Sequence, residues 1–292
     1  MVKRIVFGTL CALGGALMLA LRNTFAFMIA AMVICFLVVY EMNNAVKIKN
    51  KPIMILSLIV GTLFPIVYAY NDKIVAWSGK LGLNLSGTYL VCFYILLLFI
   101  FMLFEYEKTK FEDVAAVIIS SLGIPFAVTR FLFLRDIAIV FPERGYENIH
   151  GLFLIIFAMF SAWITDTFAY FTGSFLGKHK MCPNISPKKT IEGAIGGVLG
   201  CAVVNIVLYA VFDNFFFTVQ RNNYLAIIFL SIFLSAVSMC GDLSASVVKR
   251  NFGVKDFGNL VPGHGGVMDR FDSEIFVLIA IYAVFNIFEV RI

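Results

Sequence analysis

Apolar residues fill this chain in blocks of about 20, not in the three-and-four rhythm of a water-facing helix or the alternation of a strand. The blocks fall near 4 to 21, 24 to 40, 52 to 70, 87 to 104, 113 to 134, 151 to 173, 194 to 212, 224 to 241 and 273 to 290. At about 1.5 Å per residue each crosses roughly 30 Å of hydrocarbon as a helix. The pattern predicts an all-α polytopic integral membrane protein with about nine transmembrane helices. Met1-Val2-Lys3-Arg4 before the first block resembles the start of a signal peptide. Its apolar run exceeds a typical signal core and the second block follows almost at once, so it is expected to stay as a span. The polar connections, at 41 to 51, 135 to 150, 174 to 193 and 247 to 272, are too short to fold alone.

Composition agrees: 61% of the 292 residues are hydrophobic, 14% are charged, and the mean hydropathy is +0.94. Placing the N-terminus inside puts fifteen of the 23 lysines and arginines on the cytoplasmic side. The inside-positive bias therefore predicts N-terminus inside and C-terminus outside. The net charge of +5 is ordinary for such a protein and makes no case for nucleic acid as a partner. The six cysteines include no CxxC pair and mostly lie in apolar blocks, against a disulfide or zinc framework.

Three polar constellations interrupt the apolar pattern. In the sixth span, Asp166, Tyr170 and Gly173 recur at i, i+4 and i+7 and share one helix face. With the helix leaving the membrane near Gly173 to Gly177, Asp166 lies about 10 to 16 Å below the cytoplasmic surface. A carboxylate there faces the protein interior, either for function or as a packing ion pair. Ser186-Pro187-Lys188-Lys189 precedes the seventh span. Ser186 as N-cap and Pro187 in the first turn predict a helix start whose free N–H groups and two ammonium groups suit phosphate. Lysines at a span edge also satisfy the orientation rule with no ligand at all. Gly173 to Lys178 superficially resembles a phosphate-binding P-loop, but one residue is missing between the glycines and His179 replaces the Ser or Thr.

The third constellation is the densest. Residues 242 to 272 hold four aspartates, four basic residues and a Pro-Gly-His-Gly-Gly turn. On the cytoplasmic extension of the eighth helix, Asp242, Ser246, Lys249 and Arg250 share a stripe. After the glycine-rich connection, Asp269-Arg270-Phe271-Asp272 opens the last span. Asp242 and Asp269, on two helices, are expected to meet at one cytoplasmic-side cavity. Converging carboxylates are hard oxygen ligands and suit Mg²⁺ that keeps waters and binds substrate phosphates. An interhelical salt-bridge network is the structural alternative.

At these residues the chain resembles a known family. Ser246-x2-Lys249-Arg250-x4-Lys255-Asp256-x-Gly258-x2-Val261-Pro262-Gly263-His264-Gly265-Gly266-x2-Asp269-Arg270-x-Asp272 is similar to the signature of the phosphatidate cytidylyltransferases, or CDP-diacylglycerol synthases. Val261 stands where the signature has isoleucine. Asp166 to Gly173 and Ser186 to Gly193 also resemble that family. The likeness is close over 160 to 290. For 1 to 150 it offers only a similar layout of spans and no recognisable chemistry.

The resemblance implies transfer of a cytidylyl group from CTP to phosphatidic acid, giving CDP-diacylglycerol and pyrophosphate in phospholipid biosynthesis. It implies Mg²⁺ on Asp242 and Asp269, with Asp166 as a second metal position or an orienting group. Lys188, Lys189, Lys249 and Arg250 would hold the triphosphate or the lipid phosphate, and Ser186, Ser246, Lys255, His264 and Arg270 complete the expected substrate contacts. A second, monovalent cation and a homodimer are further expectations, as is a location in a bacterial cytoplasmic membrane with the site facing the cytoplasm. On this reading residues 1 to 150 form a packing and dimerising region of about five helices, and residues 151 to 292 the catalytic region of about four. Gly196, Gly197 and Gly200 supply small residues for close helix packing, within or between subunits. A CTP-dependent lipid-alcohol kinase shares nucleotide, metal and membrane and is the rival reading. A CDP-alcohol phosphotransferase lacks its aspartate motif here. A secondary transporter would need charges near the bilayer midplane in matched halves.

Overall fold

The structure is a computed structural model that describes residues 13 to 260 and 265 to 292. It is mostly helical, with seven helices among the described residues long and apolar enough to cross a membrane. These are Phe25–Val46 (α1), Lys51–Ala69 (α2), Gly87–Phe104 (α4), Phe111–Arg135, Asn148–Leu176 (α9), Ile191–Phe215 (α10) and Tyr224–Asn251 (α11). They coincide with the second to eighth expected spans. The first falls largely outside the described residues, of which 13 to 20 are helical. The last is the helix Met268–Ile287 (α12), whose first two turns carry Asp269, Arg270, Asp272 and Glu274.

The chain divides into two compact units, one of Met1–Thr129 with Asp256–Asp269, the other of Arg130–Lys255 with Arg270–Ile292. In the first unit, α1 and α2 form an antiparallel pair with side-chain hydrogen bonds at its polar positions. Asn50 caps α2 by accepting the Ile53 N–H at 3.1 Å and donates to Thr109 Oγ1 at 3.0 Å. In the last turn of α1, the buried Asn43 Nδ2 donates to Ser57 Oγ at 2.8 Å. A short helix, Asn71–Gly79 (α3), links α2 to α4. Ile53, Tyr94, Leu98, Val114 and Val117 form one of its buried apolar clusters.

The fifth span is not one regular helix. Phe111–Ile118 (α5) gives way to a π-turn at Ile119–Gly123, then to Ile124–Val128 (α6) and Arg130–Arg135 (α7), with a further turn at Ile137–Val140 (α8). Ser121 Oγ bonds back to the Val117 carbonyl at 2.6 Å and lies 2.6 Å from the Tyr94 hydroxyl, so the wide turn is held by side chains that satisfy polar groups lipid would leave unpaired.

The second unit is built on α9, α10 and α11. Glycines let α9 and α10 approach closely. A Cβ on Gly197 would lie 2.8 Å from the Thr165 carbonyl, and Cβ atoms on Gly196 and Gly200 would collide with Thr172 and Phe168. The Gly196, Gly197 and Gly200 run therefore packs within the chain. Inside the bundle Thr165 Oγ1 donates to Ser235 Oγ at 2.8 Å, and Asn205 Nδ2 reaches Ser161 Oγ at 3.0 Å and Ser231 Oγ at 3.2 Å.

One local expectation is overturned. Ser186 does not cap a helix that begins at Pro187. Ser186–Thr190 (β2) is a strand, antiparallel to Lys180–Cys182 (β1), with Lys180 opposite Thr190 and Cys182 opposite Ser186. Among the described residues the fold is thus helical with one small hairpin rather than purely α. Proline pushes its predecessor toward extended backbone, and Thr190, β-branched and cap-competent, takes the N-cap role by accepting the Gly193 N–H at 3.1 Å. Gly197→Val should disrupt the α9 to α10 approach at a cost of about 1–3 kcal/mol, read as a lower thermal midpoint of the purified protein in detergent; an unchanged midpoint would contradict this packing.

Candidate active site

A cavity of about 590 Å³ opens in the second unit among α9, the hairpin, the start of α10 and α11. From α9 come Asp166, Tyr170 and Gly173, the one-face triplet expected from spacing. The hairpin contributes Lys180, Ser186, Lys188 and Lys189, and α11 contributes Met239 and Asp242. Lysines from one element thus face aspartates from two others. The Lys189 ammonium forms an ion pair with Asp242 Oδ2, both side chains about a quarter exposed. Asp166 interacts electrostatically with Asp242, Lys189, Asp272 and Arg270.

The hairpin is held by α10. Glu192, in the first turn, accepts the backbone N–H groups of Lys178 at 3.1 Å and His179 at 3.2 Å and pairs with His179 Nδ1 at 2.6 Å. Gly173, Gly177 and Gly193 surround Thr190 so closely that a Cβ on any of them would sit within 2.9 Å of its side chain. Bare backbone at these three positions lets the last strand residue lie against α9 while Lys188 and Lys189 turn to the cavity.

Further along α11 lie Ser246, Lys249 and Arg250, which do not line this cavity. Lys249 Nζ pairs with Asp272 Oδ2 at 3.7 Å, with both side chains mostly buried. Arg250, Lys255 and Arg270 are exposed. Sequence reasoning stopped at Asp272 and missed Glu274, which is 1% exposed, senses Asp166 and Asp272 electrostatically, and has no hydrogen-bond partner at either carboxylate oxygen. The available signal was one more acid, a half-turn on, facing into the bundle.

In the first unit, Asp269 Oδ2 accepts the N–H groups of Phe257 at 2.9 Å and Gly266 at 3.0 Å. Gly265 takes φ +84, the left-handed backbone that favours glycine. Glu41, from α1, accepts the N–H groups of Val267 at 2.9 Å and Met268 at 2.8 Å. Residues 261 to 264, and with them His264, lie outside the described residues. Among the described residues no group of three or more His, Cys, Asp or Glu is gathered tightly enough to hold an ion by itself.

The model of the cytidylyltransferase family matches residues 2–288. A phosphatidate cytidylyltransferase of Bacillus subtilis is 31% identical over 281 residues, covering 89% of this chain and 96% of the relative. Phosphatidate cytidylyltransferases of Staphylococcus haemolyticus and Staphylococcus epidermidis are 48% identical over 128 residues, 44% of this chain and 47% of each relative.

Glu192→Ala should release the hairpin: backbone amides of residues 178 to 190 exchange with deuterium faster while those of α9 and α10 keep their protection. Equal exchange in the variant and the parent would show that the hairpin holds itself.

Proposed function

The chain belongs to the cytidylyltransferase family, and from that premise we propose that it is a CTP:phosphatidate cytidylyltransferase, converting CTP and phosphatidic acid to CDP-diacylglycerol and pyrophosphate. It is an integral membrane nucleotidyltransferase of phospholipid biosynthesis. The observation that carries the reading is the cavity in which Lys188 and Lys189 face Asp166 and Asp242. Such a site recognises a polyphosphate and a cation together.

The lipid phosphate is already an ionised nucleophile near neutral pH, so no Ser, Cys or His needs activation. A phosphatidate oxygen forms a new bond to the α-phosphorus of CTP, and the bond from that phosphorus to the oxygen bridging the β-phosphate breaks. Pyrophosphate leaves with the bonding pair. The protein's tasks are alignment and charge neutralisation. Lys188 and Lys189 bind phosphate oxygens and offset the repulsion between two polyanions. Ser186 donates to a phosphate from the hairpin, and Lys249 and Arg250, with Ser246, Lys255 and Arg270, add positive charge and hydrogen bonds along the signature.

Asp166 and Asp242 fit Mg²⁺ on the chemistry of their donors. They are hard oxygens on one cavity, and the Lys189 ammonium on Asp242 marks a place where positive charge belongs. Mg²⁺ is commonly held by one or two carboxylates, which two aspartates on one cavity could supply, and completes its shell with waters and phosphates. When bound, it polarises the α-phosphorus and neutralises the leaving pyrophosphate. The metal role of Asp269 rests on its motif, as do the substrate role of His264 and a second, monovalent cation.

The same reading proposes about nine spans, N-terminus inside and C-terminus outside, in a bacterial cytoplasmic membrane with the site open to the cytoplasm. It proposes a homodimer, a packing role for residues 1 to 150 and catalysis within residues 151 to 292. Phosphatidate enters laterally between spans near Asp242.

With CTP labelled separately at the α- and γ-phosphates, purified protein in mixed micelles should place α-label in lipid and γ-label in pyrophosphate. γ-Label in lipid would make the protein a kinase instead. Chelation of divalent ions should abolish transfer and added Mg²⁺ restore it. Asp242→Asn should lower kcat by at least about 100-fold in a protein that still elutes as a single folded species. Lys189→Ala should lower kcat/KM by about 10- to 150-fold, the worth of one charge-assisted hydrogen bond of roughly 1.5–3 kcal/mol.

A further inference from the structure

Glu41 is an acid in the last turns of a membrane-spanning helix, where Val38, Val39 and Met42 are buried around it. It is 2% exposed. A carboxylate in such a place needs compensation, and here it comes from backbone far along the chain: Oε1 accepts the Val267 N–H at 2.9 Å and Oε2 the Met268 N–H at 2.8 Å, across 226 and 227 residues. These two N–H groups belong to the opening of α12, where the orphan donors of a helix start and its positive dipole end favour an anion. Glu41 therefore caps a helix from another segment.

The loop is shaped around this carboxylate. A Cβ on Gly258 or on Gly266 would collide with the Glu41 carboxyl group, so both glycines leave it room. Gly266 also donates its N–H to Asp269 Oδ2, as does Phe257. Gly258 and Phe257 lie on one arm of the signature and Gly266 to Asp269 on the other. Glu41 touches both arms, and Asp269 is tied to both.

We propose that Glu41 is a positioning residue for cytidylyl transfer: its carboxylate clamps the two arms of the signature loop and fixes the direction of the Asp269 side chain. Glutamine cannot replace it without turning an amide N–H₂ toward one of the two N–H groups, and aspartate is one methylene too short to reach both. The kinetic part of the inference rests on the proposed activity; the clamp itself does not.

The test compares the parent, Glu41→Gln and Gly258→Ala, purified in detergent, by steady-state kinetics and by hydrogen exchange. Both variants should keep a single folded species, exchange faster in peptides covering 256 to 269 and not elsewhere, and lose about 10- to 100-fold in kcat while KM for CTP changes less than about twofold. Combined in one chain the two changes should be non-additive, because each breaks the same contact. Unchanged exchange at 256 to 269, an unchanged kcat, a loss seen in KM alone, or a protein that unfolds in both variants would each overturn the proposal. A parent with no cytidylyl transfer would remove the proposed activity instead, and the exchange arm would still decide the clamp.

Discussion

A charge carried into a membrane protein is costly unless a cation or a backbone donor offsets it, and that cost shapes the polar contacts of this chain. A charged side chain at the centre of a membrane helix costs about 2.5–3.5 kcal/mol even on lenient scales. Asp242 meets Lys189, Asp272 meets Lys249, and Glu41 and Asp269 meet backbone N–H groups. The contacts of Asp242, Asp272 and Glu41 join separate helices or segments, whereas those of Asp269 close the loop before its own helix. Polar groups of the signature are thus also ties between helices.

The apolar packing answers the same constraint from the other side. Lipid gives helices no hydrophobic reason to associate, so α9 and α10 meet through glycines and through hydroxyl and amide groups. Gly173, Gly177 and Gly193 continue that close approach up to Thr190. The hairpin that carries Lys188 and Lys189 is therefore seated on a close, glycine-lined helix contact.

Spans two to eight were legible because hydropathy over 20 residues is a bulk property that tertiary structure cannot override. The α9 triplet of Asp166, Tyr170 and Gly173 was legible because helical spacing alone fixes a face. The hairpin was not: β1 has three residues, β2 has five with a proline, and two hydroxyl residues competed to cap α10. Glu274 and Glu41 were missed for a different reason. An acid at the edge of an apolar run does not say what surrounds it in the fold: Glu274 is buried beside Asp166 and Asp272, and the backbone donors to Glu41 lie more than 220 residues away. The family signature marked Gly258 and Gly266 as fixed positions; only the fold shows the carboxylate that their missing side chains accommodate.

The Lys189 to Asp242 pair also has a bearing on how ligands arrive. The two side chains hold each other's charge, so a lone cation would have to displace the ammonium and leave it stranded, and a lone anion would have to draw the lysine away and strand the carboxylate. On the proposed function, a metal–nucleotide complex would exchange both partners at once. Separating the pair would then be compensated on both halves in one event, and the site would favour the loaded complex over either of its components before any chemistry begins.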